Sequence, residues 1–380
     1  MIYLDHNSTT PVIHEVADAM NKALTLLFGN PSSAHKVGSQ ARAAIDEART
    51  MVARLAGCEP EAVTFCSSAT EAINTVIGAA KGRVIATAVE HSATLGALKS
   101  RSSFPSILLP VSQDGLLDLE RLEAELKLEP TALVTVLWVN NETGVISPIK
   151  DICELCQRYG VPLHVDAAQA VGKLQVDLDA LPIDFLTFSA HKIGGPKGVA
   201  ALVSQWDRPA ALIRGGGQES GLRAGTENVP GIVGFGIAAD LARENLVATG
   251  TYVGELRERL EAQILSLVPG TQINGAAALR VPNTSSISFE RVGGDELAAY
   301  LDALDICVST GSACHAATNE PSHVIQAMTG SWTQAAGTVR FSLGRTNRLE
   351  EIVACVAAVV AGVQVLRAGN PITELPDKSG

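Results

Sequence analysis

Seven short apolar runs recur between positions 62 and 204: AVTFCSS, RVIATAV, SILLPV, ALVTVLWV, LHVDAA, DFLTFSA and VAALVS. They read as strands, and because amphipathic helical stretches alternate with them, they predict an α/β domain built on a mainly parallel sheet. From about 229 to 268 the pattern turns long and helical, NVPGIVGFGIAADLARENL followed by TYVGELRERLEAQILSLV, as suits a connector to a second domain. Beyond it come TSSISFE, a helix near 294 to 304, a CVST strand, a loop of small residues, a TVRFSLG strand and a last helix near 349 to 367. That order suits a smaller α+β domain. The large domain is expected over 15–250, and the small one over 1–14 together with 251–380. No internal repeat interrupts the pattern, and the tail ITELPDKSG reads as frayed.

Composition narrows the partners. The 380 residues are 46% hydrophobic and 18% charged, enough for one large core and a smaller one. A net charge of −11 removes the sequence-wide electrostatic case for nucleic acid or an anionic membrane, which leaves small molecules and proteins. MIYLDHNSTT lacks the basic and apolar parts of a secretion signal, and no uninterrupted apolar run reaches the roughly 18 residues of a membrane span, so a cytoplasmic protein is expected. Seven scattered cysteines suit a reducing compartment. Cys153 and Cys156 form a CxxC, but they fall at helical spacing with no second CxxC, so helix packing outweighs a metal site.

The chemistry concentrates where strands end. In DFLTFSAHKIGGPKG, residues 184 to 198, Lys192 follows a buried strand, the place where parallel sheets carry active sites. A lysine beside apolar surface and a histidine loses ammonium stability, and its free amine can attack a carbonyl. A lone His-Lys pair, however, more often marks a surface lysine at a strand-to-loop junction. AVTFCSSATEAIN, 62 to 74, runs a strand into a helix beginning near Thr70; this is an anion site or plain capping by Ser68 or Thr70. Asp166 and Gln169 in LHVDAAQAVG offer a buried carboxylate that would suit a protonated pyridine nitrogen, and an amide for a phenolate oxygen; Asp166 as a cap of the next helix is an equal alternative. WVNNETG at 138 to 144 offers polar contacts, and His91 could stack on an aromatic cofactor. Arg340 on an apolar strand is costly to bury unless it grips a carboxylate bidentately. Cys314, in the small-residue loop STGSACHAATNEPS, is a nucleophile assisted by His315 or a packing thiol.

In this order and spacing the chain resembles the cysteine desulfurases of the class V aminotransferase family, fold type I of the pyridoxal-phosphate enzymes. The resemblance runs nearly end to end: YLDHNSTTP (3–11), GNPSSAHKVGSQAR (29–42), SSATEAIN (67–74), the pair Glu90 and His91, VNNETG (139–144), HVDAAQAVGK (164–173), SAHKIGGPKG (189–198), RGGGQESGLRAGTENVPGIVG (214–234), TGSAC (310–314) and RFSLGR (340–345). It implies a pyridoxal 5'-phosphate cofactor on Lys192, with Asp166 on the pyridinium nitrogen, Gln169 on the phenolic oxygen and His91 against the ring. Ala69, Thr70, Ser189 and His191 would hold the phosphate, with Thr226 from the second subunit of a homodimer. Asn141 and Arg340 would contact the substrate carboxylate, and Cys314 would accept sulfur from L-cysteine as a persulfide for an acceptor or iron–sulfur scaffold protein. No resident metal is implied; Cys314 is the one residue left as a ligand for a cluster in transit.

Ser68 and Ala190 stand where the family commonly has glycine, and Thr329 precedes a displaced Gly330. His315 after the cysteine, with Pro321 and Ser322, also resembles selenocysteine lyases. A transaminase or epimerase that uses Cys314 only for packing, and a non-catalytic scaffold of the same fold, complete the alternatives.

Overall fold

A computed structural model describes residues 1–206, 208–310 and 320–369. After β1 (Ile2–Tyr3), α1 (His14–Leu26) and α2 (Lys36–Ala56), the chain alternates β2 (Val63–Cys66), α3 (Ala69–Ala79), β3 (Arg83–Thr87), α4 (Ser92–Ser100), β4 (Ser106–Leu109), α5 (Leu119–Leu128), β5 (Thr131–Leu137) and α6 (Ile149–Tyr159). β6 (Leu163–Asp166), β7 (Phe185–Ser189) and β8 (Ala200–Ser204) follow. All seven apolar runs pair into one sheet, in the order β2-β8-β7-β6-β5-β3-β4. Every pairing is parallel except those of β8, which is antiparallel to both β2 and β7.

Strands covered on both faces need apolar residues at every position, which is why these runs do not alternate with polar ones. β2, β3, β6, β7 and β8 are indeed buried throughout. α3 and α4 close one face through Ile73, Ile77 and Leu98. On the other face Ile45 and Val52 of α2 and Ile152 of α6 join the strands. Cys153 and Cys156 lie buried on α6, with burial pushing both thiols up to about 12. Among the described residues no His, Cys, Asp and Glu cluster could hold a metal.

The long helical stretch is a single helix, α7 (Val229–Leu267), of 39 residues. Its first half places Phe235 and Ala239 in the main core, and its second half places Val253, Leu256, Leu260 and Ile264 in a separate core. Gly236 lets α7 lie against α2, since a Cβ there would stand 2.7 Å from the Ala48 Cα. Then come β9 (Thr271–Ile273), β10 (Thr284–Phe289), α8 (Gly294–Asp302), β11 (Ile306–Cys307), α9 (His323–Thr329), α10 (Trp332–Ala336), β12 (Thr338–Ser342) and α11 (Leu349–Gly369). β12, β10 and β9 form an antiparallel sheet, while β11, shorter than the CVST run, pairs in parallel with β1. α11 is apolar enough to cross a membrane, with mean hydropathy 2.0, but its Ile352, Val356 and Val359 fill the second core beside Leu4.

Candidate active site

Asp166 is the last residue of β6, and Lys192 ends the 3₁₀ turn Ala190–Lys192 that follows β7. The turn closes on Gly194, whose φ of 84° is left-handed backbone that glycine adopts without strain. Lys192 Nζ donates to the backbone carbonyls of Asn7, at 2.6 Å, and Ser8, at 2.9 Å. The polar segment after β1 therefore passes directly over the lysine. Asp166 is 3% exposed and accepts from the Ala168 N–H at 3.0 Å. Burial pushes its carboxyl up to about 6, against the pull of that hydrogen bond and of Lys192. Gln169, equally buried, donates through Nε2 to the Asn7 carbonyl at 2.9 Å.

The helix after β2 begins at Ala69, one residue before the expected start, and its cap is Ser68, whose Oγ accepts from Glu71 N at 3.2 Å. Ser189, closing β7, accepts from Ala69 N at 3.2 Å, so the α3 N-terminus and the β7 end meet although 120 residues separate them. Thr70 is exposed in the first turn. His191 Nδ1 lies 3.1 Å from Thr9 Oγ1, and burial, with Lys192 and Lys197, lowers the ring to about 4 and keeps it neutral. His91 caps α4, its Nδ1 accepting from Ala93 N at 3.1 Å. Thr226 stands exposed on the loop before α7. Cys314 lies outside the described residues.

Arg340 reaches the same group from β12. It is 4% exposed; Nη1 donates to the Asn141 backbone carbonyl at 3.0 Å, and Nη2 donates to Asp5 Oδ1 and Ser8 Oγ, each at 2.7 Å. The protein itself thus meets part of the arginine's demand, by a single N–H to Asp5 rather than a bidentate grip. Its Nε is buried with no partner among the described residues.

Two buried residues have tasks that the sequence reading did not assign. Asn7, 2% exposed, joins polar groups from the main sheet and from β10: its carbonyl receives Lys192 and Gln169, and its Nδ2 donates to Thr284 Oγ1 at 2.9 Å and Asn141 O at 3.1 Å. The polar run DHNSTT after an apolar strand was the available signal. Glu90, fully buried, accepts from Thr87 Oγ1 at 2.6 Å and Leu137 N at 3.1 Å; burial pushes it up to about 8, so it is protonated at neutral pH.

The class-V aminotransferase family profile matches residues 2–354. A cysteine desulfurase of Trichormus azollae is 42% identical over 380 residues, covering 98% of this chain and 95% of its own. The chain belongs to the cysteine desulfurases of the class V aminotransferase family. Solved structures share the desulfurase fold: a NifS-like protein, 35% identical, has a TM-score of 0.88 over 96% of this chain and 99% of its own. SspA, solved in complex with cysteine, is 32% identical, with a TM-score of 0.78 over 92% of this chain and all of its own. Cysteine desulfurases use pyridoxal phosphate, and the donor set fits such a group: a desolvated carboxyl, an amine, and a capped helix N-terminus beside hydroxyls.

Proposed function

We propose that this desulfurase acts on L-cysteine, releasing L-alanine and passing sulfur to Cys314 as a persulfide for an acceptor or iron–sulfur scaffold protein. The observation that carries the reading is the meeting of Lys192, Gln169, Asn141 and Arg340 around Asn7, at the strand ends that also carry Asp166. Lys192 would hold pyridoxal phosphate, Asp166 its ring nitrogen, Gln169 its phenolic oxygen and His91 its face. Ala69, Thr70, Ser189, His191 and Thr226 of the partner subunit in a homodimer would hold its phosphate. Bound there, the cofactor supplies an electron sink for the charge left when Cα loses its proton.

Lys192 takes that proton on Nζ, with the Asn7 and Ser8 carbonyls fixing the direction of its lone pair. Arg340 and Asn141 orient the substrate carboxylate, and the Arg340 Nε–H has a donor to give. The Cys314 thiolate attacks the substrate sulfur; the S–S bond forms as the Cβ–S bond breaks, and the bonding pair stays on the substrate carbon. Protons returned to Cβ and Cα complete alanine.

Incubation with L-cysteine, followed by assay of alanine and mass spectrometry of Cys314, tests this: alanine and a 314 persulfide are expected. Activity confined to selenocysteine overturns it in favour of a selenocysteine lyase. Ser322, which suggested that alternative, has a structural task of its own: it caps α9, accepting from Ile325 N at 3.0 Å and donating to Glu142.

A further inference from the structure

Lys173, four residues after Gln169, has no part in the proposed chemistry, yet its amine reaches the centre of the site. Its half-buried stem lines a cleft of about 280 Å³ that it shares with Lys192, His6 and Asn283. Nζ donates to Asn7 Oδ1 at 2.9 Å and to Gln169 Oε1.

A side-chain amide has a donating and an accepting end, and which end faces a ligand decides what it can bind. A lysine amine placed at the oxygen end of Gln169 settles that choice: Nε2 turns the other way, gives one N–H to the Asn7 carbonyl at 2.9 Å, and carries a second N–H for a ligand oxygen. At Asn7 the same amine and Asn283 Nδ2, at 3.0 Å, take Oδ1 and direct Nδ2 to Thr284 and Asn141. That pins the residue whose carbonyl receives Lys192. Burial, with the charges of Lys192 and Arg340, pushes the Lys173 ammonium well below its ordinary value. Two of its N–H groups serve these two oxygens.

We infer that Lys173 is a positioning residue of the desulfurase reaction, fixing the donor end of Gln169 and, through Asn7, the carbonyl that receives Lys192. The inference rests on the roles proposed above for Gln169 and Lys192. In the holoenzyme, Lys173→Met should lower kcat about 10- to 100-fold, the scale of a misplaced group, with KM for cysteine within about threefold of wild type. The cofactor absorbance band should move in the same direction as in Gln169→Ala. Combined with Gln169→Ala, the losses should fall short of their product, because residues acting as a unit are non-additive.

A wild-type kcat and band in Lys173→Met, or losses that multiply, overturns the inference. Lys192→Ala separates the two levels. If it keeps the band, the site reading itself fails; if it loses the band while Lys173→Met is silent, only the role of Lys173 fails. Should Lys173→Met not fold by circular dichroism, Lys173→Gln takes its place in the same cycle, with the same outcomes deciding.

Discussion

Asp166 and Lys192 belong to the ends of main-sheet strands, where the backbone leaves its ladder, whereas Arg340 stands in the middle of β12 with every neighbour buried. At a strand end the half-buried Lys192 can await its ligand in a partly open place, although Asp166 beside it is buried. A guanidinium inside a strand must find its partners as the protein folds, and Asp5, Ser8 and Asn141 supply them. For Lys192 the first arrangement separates chemistry from stability; the second binds them together.

Lys192→Ala should show the separation most strongly. Turnover should fall by more than about 10³-fold, the scale of losing both nucleophile and base, with Tm within about 2 °C. Alanine release and calorimetry check it, and a collapsed Tm would erase the contrast. Arg340→Gln should do both kinds of damage. KM for cysteine should rise about 10- to 100-fold, and stability should drop by about 2–3 kcal/mol as Asp5 loses its partner in a site where its side chain keeps 19% exposure. An unchanged denaturant midpoint would place Arg340 with the strand-end residues instead.

Asp166 sharpens the comparison through pH. Its folded pKa, about 6, lies above the ordinary 3.8, so the native cofactor-free protein holds this proton more tightly than the unfolded chain. The resulting stabilisation is complete below about pH 4 and is lost as pH rises through 6, amounting to about 3 kcal/mol. Asn does not titrate, so the stability of Asp166→Asn relative to wild type should improve by that amount between pH 4 and pH 7 in urea unfolding. A flat difference would mean that the strand end does not desolvate the carboxyl. The smallest effect belongs to Ser68→Gly, which restores the residue common in the family. The Ser68 backbone is extended, with φ −162°, and glycine caps nearly as well, so the cost should be a few tenths of a kcal/mol.

The same contrast governs what could be read from the sequence. The seven main-sheet strands and the residues at their ends were legible because a doubly covered strand writes itself as a local apolar run, and Asp166, Gln169 and Lys192 sit within a few positions of such runs. β9, α9 and α10 are too short to establish a period. Asn7 was hidden for a different reason: its partners Lys192, Thr284 and Ser342 lie 185, 277 and 335 positions away, and nothing local marks a residue as their meeting point. The Asp5 partner of Arg340 was hidden on the same ground, since it lies 335 positions earlier. Cys314, proposed to carry the sulfur half of the chemistry, lies outside the described residues and stays a reading of sequence.

The Asn7 crossing also sets an order of events during synthesis. Ser342, Arg340 and Thr284 leave the ribosome long after the segment that they clasp, and at about 5–20 residues per second those 335 positions take on the order of half a minute. Until then the main sheet can close around Lys192 with Gln169, Lys173 and His191 already holding the Asn7–Thr9 segment, while its partners Thr284, Arg340 and Ser342 are still missing. The nascent chain therefore carries the main-sheet strands before β10 and β12 complete the clasp on Asn7.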